Sequence, residues 1–254
     1  YHWWRRWAVP LLGVAIVLLL AVIVLPYPIA ITVNNATRWL NVGFTTFQPS
    51  EVAKFAVILY FAATISVKKE KMETLRDGIF PYFLILGVIV LLMMKEPHLS
   101  GSVLILCIGA CMMFVGGISQ KMVALGVSLG VGGILVLISG VLPYGQSRIL
   151  QWKDPWAYAS DEGYQTVQSL LAIGSGGLAG LGFGKGRQKL LYLPEEHNDM
   201  IFSIVCEELG FIGAALILAL FCFLVLRGYW IALHARDRFG GLLAVGITTM
   251  IAVQ

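Results

Sequence analysis

The sequence predicts an all-α protein that crosses a membrane several times. Apolar residues make up 58% of the 254 positions and charged residues only 13%, whereas a typical soluble domain has about 45–50% apolar and about 25% charged residues. The apolar residues also occur in long runs, and a helix needs about 20 of them to cross the hydrocarbon core of a bilayer. Lipid, rather than water, is therefore the expected solvent for most of the surface.

These runs predict about seven transmembrane helices. Six runs meet or approach the spanning length, and the shorter ones fit a bilayer that thins locally. The last run begins near Gly240 and continues to Gln254. Because the chain starts at Tyr1 and stops within an apolar run, we expect a fragment of a longer protein, truncated at both ends. The six runs are Ala8–Leu25, Val52–Val67, Gly78–Met94, Gly101–Gly117, Met122–Leu142 and Met200–Leu226.

The positions of Lys and Arg predict which loops face the cytoplasm. When the helices are threaded alternately through the membrane, the short basic loops fall on one side, which the positive-inside rule makes cytoplasmic. The opposite side receives Arg38, Lys95 and a long loop at 143–199, which is expected to face outward and to carry a short surface helix over Tyr164–Ile173. The cytoplasmic set comprises Arg5, Arg6, Lys68, Lys69, Lys71, Arg76, Lys121, Arg227, Arg236 and Arg238.

Composition also excludes several classes of partner and site. The net charge of +4 follows from the membrane-flanking loops, so no nucleic-acid partner is expected. The four cysteines all lie within apolar runs and show neither a disulfide framework nor the paired spacing of a metal site. Their expected role is packing.

Two charged residues fall in the first turns of a predicted membrane helix. Pro49 and Ser50 mark its start, and Glu51 and Lys54 follow on one face, where a charge inside the membrane costs on the order of 3 kcal/mol. Two interpretations remain open. The pair is a local ion pair with Lys54 reaching to the interface, or Lys54 points into a cavity and holds an anionic partner.

A second polar cluster precedes the helix that opens at Met200. Asn198 or Asp199 is suited to cap this helix, but capping does not explain why three carboxylates and His197 crowd one membrane-entry point. Glu207 and Glu208 lie two turns further along the helix. At least one of them is expected to be hydrogen-bonded, paired with a base or protonated, because two adjacent acids cannot both face lipid.

A glycine-rich stretch, Gly182–Arg187, resembles a phosphate-binding loop only superficially. The strand and helix of a dinucleotide-binding unit are not predicted around it. Two interpretations stay open for this turn and its cations Lys185, Arg187 and Lys189: contact with a pyrophosphate or lipid headgroups, or a plain flexible loop.

Several long stretches match one family. They are Ala36–Leu40, Phe47–Lys54, Gly163–Gln165, Gln168–Gly177, Glu207–Phe211 and, most specifically, Tyr192–Ser203 with the sequence YLPEEHNDMIFS. On these residues the chain resembles the division and sporulation branch of the shape, elongation, division and sporulation (SEDS) glycosyltransferases. The resemblance implies a ten-helix fold, of which this fragment covers a single transmembrane domain from about the third helix into the ninth.

The resemblance also implies a reaction and a set of site residues. Members of the family join lipid II molecules into peptidoglycan strands and release undecaprenyl pyrophosphate. By comparison, Asp199 is the catalytic acid–base residue, and Glu51 and Lys54 line the same cavity. Arg38 lies near the mouth of this cavity, and Gln48 and His197 contact the substrate.

One motif departs from the family pattern. Members commonly have Pro-Asp-Leu-Gly-Thr where this chain has Pro97-His98-Leu99-Ser100-Gly101. His98 is therefore left out of the predicted site.

The same resemblance implies the cofactor, the partners and the location. A divalent cation, Mg²⁺ or Mn²⁺, is expected to bridge the pyrophosphate, and a class B penicillin-binding protein is the expected partner beside lipid II and membrane lipid. The expected location is the bacterial inner membrane, with the active site facing outward. Two alternatives belong to other classes: a flippase or carrier of lipid II, and a non-catalytic scaffold for division proteins.

Overall fold

A computed structural model describes most of the chain as two compact units. The first comprises Tyr1–Gly126 and Val225–Gln254, and the second comprises Val127–Leu224. The described residues are 1–33, 36–43, 45–68, 72, 74–96, 98–119, 121–122, 124–126, 128, 150, 152–160, 163–188 and 200–254.

The α-helices agree with the predicted apolar runs to within a few residues at most ends. Helix α6 is the main exception, since it continues seven residues beyond the predicted end at Leu226. The helices are α1 (Ala8–Val24), α2 (Pro49–Lys68), α3 (Phe80–Lys95), α4 (Leu99–Val115), α5 (Tyr164–Gly176), α6 (Ile201–Leu233) and α7 (Arg238–Val253). Short 3-10 helices at His2–Trp7 and Pro155–Tyr158 and a π-helical turn at Leu75–Ile79 complete the helical elements with defined bounds.

Three described helices are long and apolar enough to cross a membrane: His2–Val24, Pro49–Lys68 and Ile201–Leu233. Helices α3, α4 and α7 are apolar but shorter. The predicted run Met122–Leu142 lies largely outside the described residues. Helix α5 is the predicted surface helix, extended to Gly176, and it buries Val167 and Ala172 while Leu170 and Leu171 remain exposed.

Helix α2 is the centre of the first unit. Helices α1, α4 and α7 pack around it, and its residues from Ala53 to Ile65 are almost all buried. Glycines bring neighbouring helices close, as is common in membrane bundles. A Cβ at Gly246 of α7 would press on Ile58 of α2, and one at Gly109 of α4 would press on Leu86 of α3.

The prediction of an all-helical chain misses a small antiparallel sheet between α1 and α2. Strands β1 (Ala30–Val33), β2 (Ala36–Asn41) and β3 (Thr46–Phe47) pair in the order β1-β2-β3. Leu40 pairs with Ala30 on one side and Phe47 on the other, and Ala30 and Leu40 pack against Val22 of α1. The sheet leads directly into α2 and thereby sets the positions of Arg38 on β2 and Gln48 after β3.

The second unit is built on α5 and the first part of α6. Helix α6 is interrupted at Gly210, whose φ of 66° and ψ of −171° are not helical. The Ser169 hydroxyl of α5 lies 2.6 Å from the Ser203 hydroxyl of α6. The interruption was not predicted from the sequence.

Candidate active site

Four of the predicted site residues meet at the end of the first unit where α2 begins. Arg38 comes from β2, Gln48 from the residue before α2, and Glu51 and Lys54 from the first turns of α2. The segment between α3 and α4 adds Glu96 and His98, which the sequence analysis did not include.

Lys54 is buried, although it is a charged residue. It is 2% exposed, and its Nζ lies 2.8 Å from Glu51 Oε2 and donates to Gln254 Oε1 at 2.9 Å. The predicted Glu51–Lys54 ion pair therefore exists. The expected reach of Lys54 to the interface does not, since the exposed partner is Glu51, whose side chain is 50% exposed.

Arg38 is held in place by the backbone that follows α3. Its Nε donates to the carbonyl oxygen of Glu96 at 3.3 Å. Because Nε is at the base of the guanidinium plane, this bond orients the whole group. An oriented planar fork of N–H donors matches the oxygens of a carboxylate or phosphate.

Glu96 is a buried acid beside this guanidinium. It is 2% exposed, and within the described part of the chain neither carboxyl oxygen has a hydrogen-bond partner. Burial raises the pKa of Glu96 to about 7, while the positive charge of Arg38 opposes the shift. The carboxyl is therefore about half protonated at pH 7.

His98 connects the two sides of the cluster. Its Nδ1 lies 3.5 Å from Gln48 Nε2. Burial lowers the pKa of His98, and the charges of Arg38 and Lys54 lower it further while Glu51 raises it. The ring is therefore neutral near pH 7. Gly101 makes room for it, because a Cβ there would lie 2.6 Å from His98 Cε1.

Sequence reasoning missed Glu96 and His98 for identifiable reasons. Glu96 follows Lys95 at the end of an apolar run, where a charged residue is usually solvated. His98 was excluded because it departs from the family motif. The helix ends alone give no indication that Glu96 and His98 lie close to Arg38.

Asp199 and His197 lie outside the described residues, as do their neighbours from 189 to 198. The position of the proposed catalytic acid relative to Lys54 and Arg38 therefore stays a prediction.

The glycine-rich loop of the second unit makes backbone contacts that neither interpretation included. The N–H groups of Gly184 and Gly186 donate to the Glu208 carboxylate at 2.9 and 3.3 Å, and that of Arg187 donates to Glu207 Oε1 at 2.8 Å. The expectation that at least one of these acids is hydrogen-bonded is therefore confirmed. These loop amides hold the chain's own carboxylates, and contact of the loop cations with a pyrophosphate or headgroup stays a prediction.

Comparison with known proteins gives the family. The model of the FtsW/RodA/SpoVE family, described as cell cycle protein, matches residues 1–254. The chain belongs to this family. A relative from Geobacter sp. (strain M18) named "Probable peptidoglycan glycosyltransferase FtsW" is 39% identical over 261 residues, covering 100% of this chain and 68% of the relative.

Further similar proteins extend this finding. The stage V sporulation protein E of Bacillus subtilis (strain 168) is 41% identical over 258 residues, which cover 100% of this chain and 69% of that protein. A chain from a structure titled as a peptidoglycan synthase complex superposes with a TM-score of 0.74 at 26% identity, covering 98% of this chain and 68% of that one. The rod shape determining protein RodA of Thermus thermophilus shares the fold, with a TM-score of 0.62 and 24% identity over 97% of this chain and 62% of RodA.

Proposed function

We propose that this chain is the catalytic part of a peptidoglycan glycosyltransferase that joins lipid II units and releases undecaprenyl pyrophosphate. The observation that carries the proposal is the match over the whole chain to relatives named as peptidoglycan glycosyltransferases. The cluster around Arg38 and Lys54 supports it, because the reaction needs positive charge for its leaving group.

The reaction requires two groups. A sugar hydroxyl of the acceptor attacks the anomeric carbon of the donor, the bond from that carbon to the pyrophosphate oxygen breaks, and the pyrophosphate leaves with the electron pair. A base must take the hydroxyl proton, and cationic groups must stabilise the departing charge. Asp199 is proposed as the base, because partial burial at a membrane rim raises the pKa of a carboxylate toward useful values.

Arg38 is proposed to bind the pyrophosphate. Its guanidinium is oriented by the Glu96 carbonyl, so little conformational freedom is lost when it pairs with phosphate oxygens. Because burial raises the pKa of Glu96 to about 7, its carboxyl repels the anion less near neutral pH than an ordinary glutamate would. Gln48 and His197 are proposed as further substrate contacts.

Lys54 supplies a second positive charge with little competition from water. Its ammonium is buried and fixed by Glu51 and Gln254, and a charge acts over a longer range in such a site than in solution. Two roles remain open for it: neutralising the leaving group, or holding Asp199 ionised.

A divalent cation, Mg²⁺ or Mn²⁺, remains part of the proposal without a step of its own. The described ranges contain no group of three His, Cys, Asp or Glu side chains suited to a metal ion. Mg²⁺ commonly binds through substrate phosphates and one or two carboxylates, so the pyrophosphate would supply most of its ligands.

We further propose the membrane arrangement. The chain forms about seven spans of a ten-helix protein of the bacterial inner membrane, with the 143–199 loop and the active site facing outward. A class B penicillin-binding protein is the proposed partner, and the fold similarity to a chain of a peptidoglycan synthase complex supports it.

The carrier alternative has one structural feature in its favour. Transporters often hold substrate between discontinuous helices in matched halves, and α6 is discontinuous at Gly210. The described helices of the first unit show no corresponding interruption. A scaffold would make Asp199 only a helix cap.

Purified full-length protein separates these functions. It is incubated with fluorescent lipid II, and the products are resolved by chain length; a second portion in liposomes is tested for lipid II movement across the bilayer. We expect glycan strands from the purified protein. Movement without polymer would support the carrier and contradict the proposal, and the absence of both activities would support the scaffold.

A further inference from the structure

Helix α6 is interrupted at Gly210 in the second unit, and a preceding loop supplies hydrogen-bond partners for the backbone groups at the interruption. In a continuous helix the N–H groups of Phe211 and Ile212 would donate to the carbonyls of Glu207 and Glu208. Here they donate to Gly177 and Leu178 at 2.9 and 3.1 Å. All four groups at the interruption thus need partners from outside the helix.

The same loop supplies the remaining partners. The carbonyls of Glu207 and Glu208 accept hydrogen bonds from Leu181 and Gly182 at 3.0 and 3.1 Å. The two helical bonds that Phe211 and Ile212 would make to Glu207 and Glu208 are therefore replaced by bonds to residues 177–182. Such replacement is what allows non-helical backbone within a membrane protein, where unpaired polar groups are costly.

The side chains of the two glutamates add a second set of bonds to the loop. Glu207 accepts from Arg187 N at 2.8 Å and from Gln188 N at 3.3 Å, and Glu208 accepts from Gly184 N and Gly186 N. Both glutamates are buried, at 1% and 9% exposure. Bonds from N–H groups to ionised carboxylates are roughly twice as strong as neutral ones.

Glycines in the loop are required by this close approach. A Cβ at Gly180 would overlap the Glu208 carbonyl, and one at Gly186 would lie 2.9 Å from Glu207 Oε2 and 3.0 Å from Glu208 Oε1. We call the contacts of Glu207 and Glu208 with residues 177–188 the carboxylate clamp.

The half-helix Ile201–Leu209 depends on this clamp for its orientation. It is separated from the rest of α6 by Gly210, so helical continuity does not fix its direction. The described contacts that hold it within the second unit include the clamp, the Ser169–Ser203 contact and the close approach of Gly176 in α5 to the Cys206 carbonyl. Asp199 precedes the first residue of this half-helix by two positions.

We infer that Glu207 and Glu208 are positioning residues for the glycosyl transfer: the clamp holds the half-helix that follows Asp199, the proposed base, in the sequence. The inference rests on the proposed function. Because a reacting group displaced by about 1 Å can lose roughly a hundredfold in rate, loosening the clamp should slow the chemical step more than substrate binding.

The test compares Glu207→Gln with a control on the other side of the interruption. Glu207→Gln keeps one acceptor oxygen but loses the charge and the second acceptor. The control Tyr229→Phe removes a hydroxyl that lies 3.0 Å from Thr249 Oγ1, in the same helix but beyond Gly210. Both variants are made in the full-length protein.

For Glu207→Gln we expect the single-turnover polymerisation rate to fall by at least about tenfold while the Kd for lipid II changes less than about twofold. Hydrogen exchange at the amides of 187–188 and 201–206 should become faster. Tyr229→Phe should leave the rate and this exchange unchanged. A Glu207→Gln rate within twofold of wild type, or a loss of binding equal to the loss of rate, would overturn the inference.

Two further arms keep the outcomes distinguishable. If Glu207→Gln does not fold, Gly186→Ala takes its place, because it strains the clamp while both glutamates remain. Its control is Gly174→Ala, since a Cβ at Gly174 meets nothing within 4 Å. Faster hydrogen exchange in Gly186→Ala with an unchanged polymerisation rate would overturn the positioning role. If the wild-type protein forms no polymer, the proposed function fails, whereas unchanged exchange in Glu207→Gln refutes the clamp itself.

Discussion

Lys54 and Glu51 form one ion pair with two very different environments. The ammonium is almost completely buried, while the carboxylate is half exposed. Water can therefore replace the partner of Glu51 but not the partner of Lys54. This asymmetry decides which half of the pair is costly to remove.

We expect Glu51→Gln to destabilise the protein more than Lys54→Met. The first leaves a buried ammonium without its carboxylate, at a cost on the order of 1–3 kcal/mol. The second removes the buried charge and leaves an acid that water can solvate, with a cost below about 1 kcal/mol. Thermal unfolding of both variants in detergent measures the difference. A larger loss for Lys54→Met would show that the ammonium itself stabilises the fold.

Glu96 predicts a pH dependence of stability. The raised pKa of Glu96, about 7 against an ordinary 4.5, means that the unfolded carboxyl releases its proton first. Between these two values the folded state binds more protons, so the contribution of Glu96 to stability is present below pH 4.5 and is lost as the pH rises toward 7. Above pH 7 it stays constant.

Glu96→Gln removes this dependence. We expect its unfolding temperature, relative to wild type, to increase between pH 4.5 and pH 7.5, because the amide has no proton to lose. The difference between the two proteins cancels the titration of every other group. A difference that stays constant over this range would mean that Glu96 is not the buried acid described above.

At the scale of single residues, the sequence predicted part of the cluster around Arg38 and Lys54. Their i, i+3 spacing on a helix is enough to place Glu51 and Lys54 together. The burial of Lys54 and the inclusion of Glu96 and His98 follow from tertiary packing, which no local sequence pattern contains. The neutral His98 lies where the chain departs from the expected family motif, and the buried Glu96 lies two residues before it.

At the scale of elements, apolar run length predicted most helix bounds because it is a local property. The sheet was missed because its three strands are short. The interruption of α6 was missed because Gly210 in an apolar run is also compatible with close helix packing. The positive φ of Gly210 depends on contacts with the 177–188 loop, which is not adjacent to Gly210 in the sequence.

Gly210→Ala should therefore be severely destabilising. Alanine is strained at a φ of +66°, and its Cβ would overlap the backbone of Gly180, so we expect a loss of at least about 2 kcal/mol. Gly174→Ala in α5 serves as the control, with a gain of about 0.5–1 kcal/mol from helix propensity. Chemical unfolding of the full-length variants measures both. Equal stability of the two would refute a left-handed backbone at Gly210.

At the scale of the whole molecule, the sequence predicted a polytopic membrane protein and its family. Composition and the long motif matches are global properties that survive uncertainty about any single element. The chain spans about two thirds of the length of the relatives it matches. Orientation depends on the distribution of Lys and Arg over all loops and is directly testable.

Two exposed positions test the orientation. Phe183, in the loop predicted to face outward, is 88% exposed, and Leu233, at the predicted cytoplasmic end of α6, is 83% exposed. In a cysteine-free background, a membrane-impermeant maleimide should label Phe183→Cys in intact spheroplasts and Leu233→Cys only after permeabilisation. The background is needed because Cys107 and Cys222 are exposed. The reverse labelling pattern would invert the proposed topology.

Polymerisation by the Asp199→Asn variant tests the account most directly. The matched control is Asp237→Asn, since Asp237 caps α7 by accepting from Gly240 N, a role that asparagine also fills. We predict that purified full-length Asp199→Asn folds and binds lipid II but forms no glycan strands, while Asp237→Asn polymerises at the wild-type rate. Strands of normal length and rate from Asp199→Asn would contradict the assignment of Asp199 as the base.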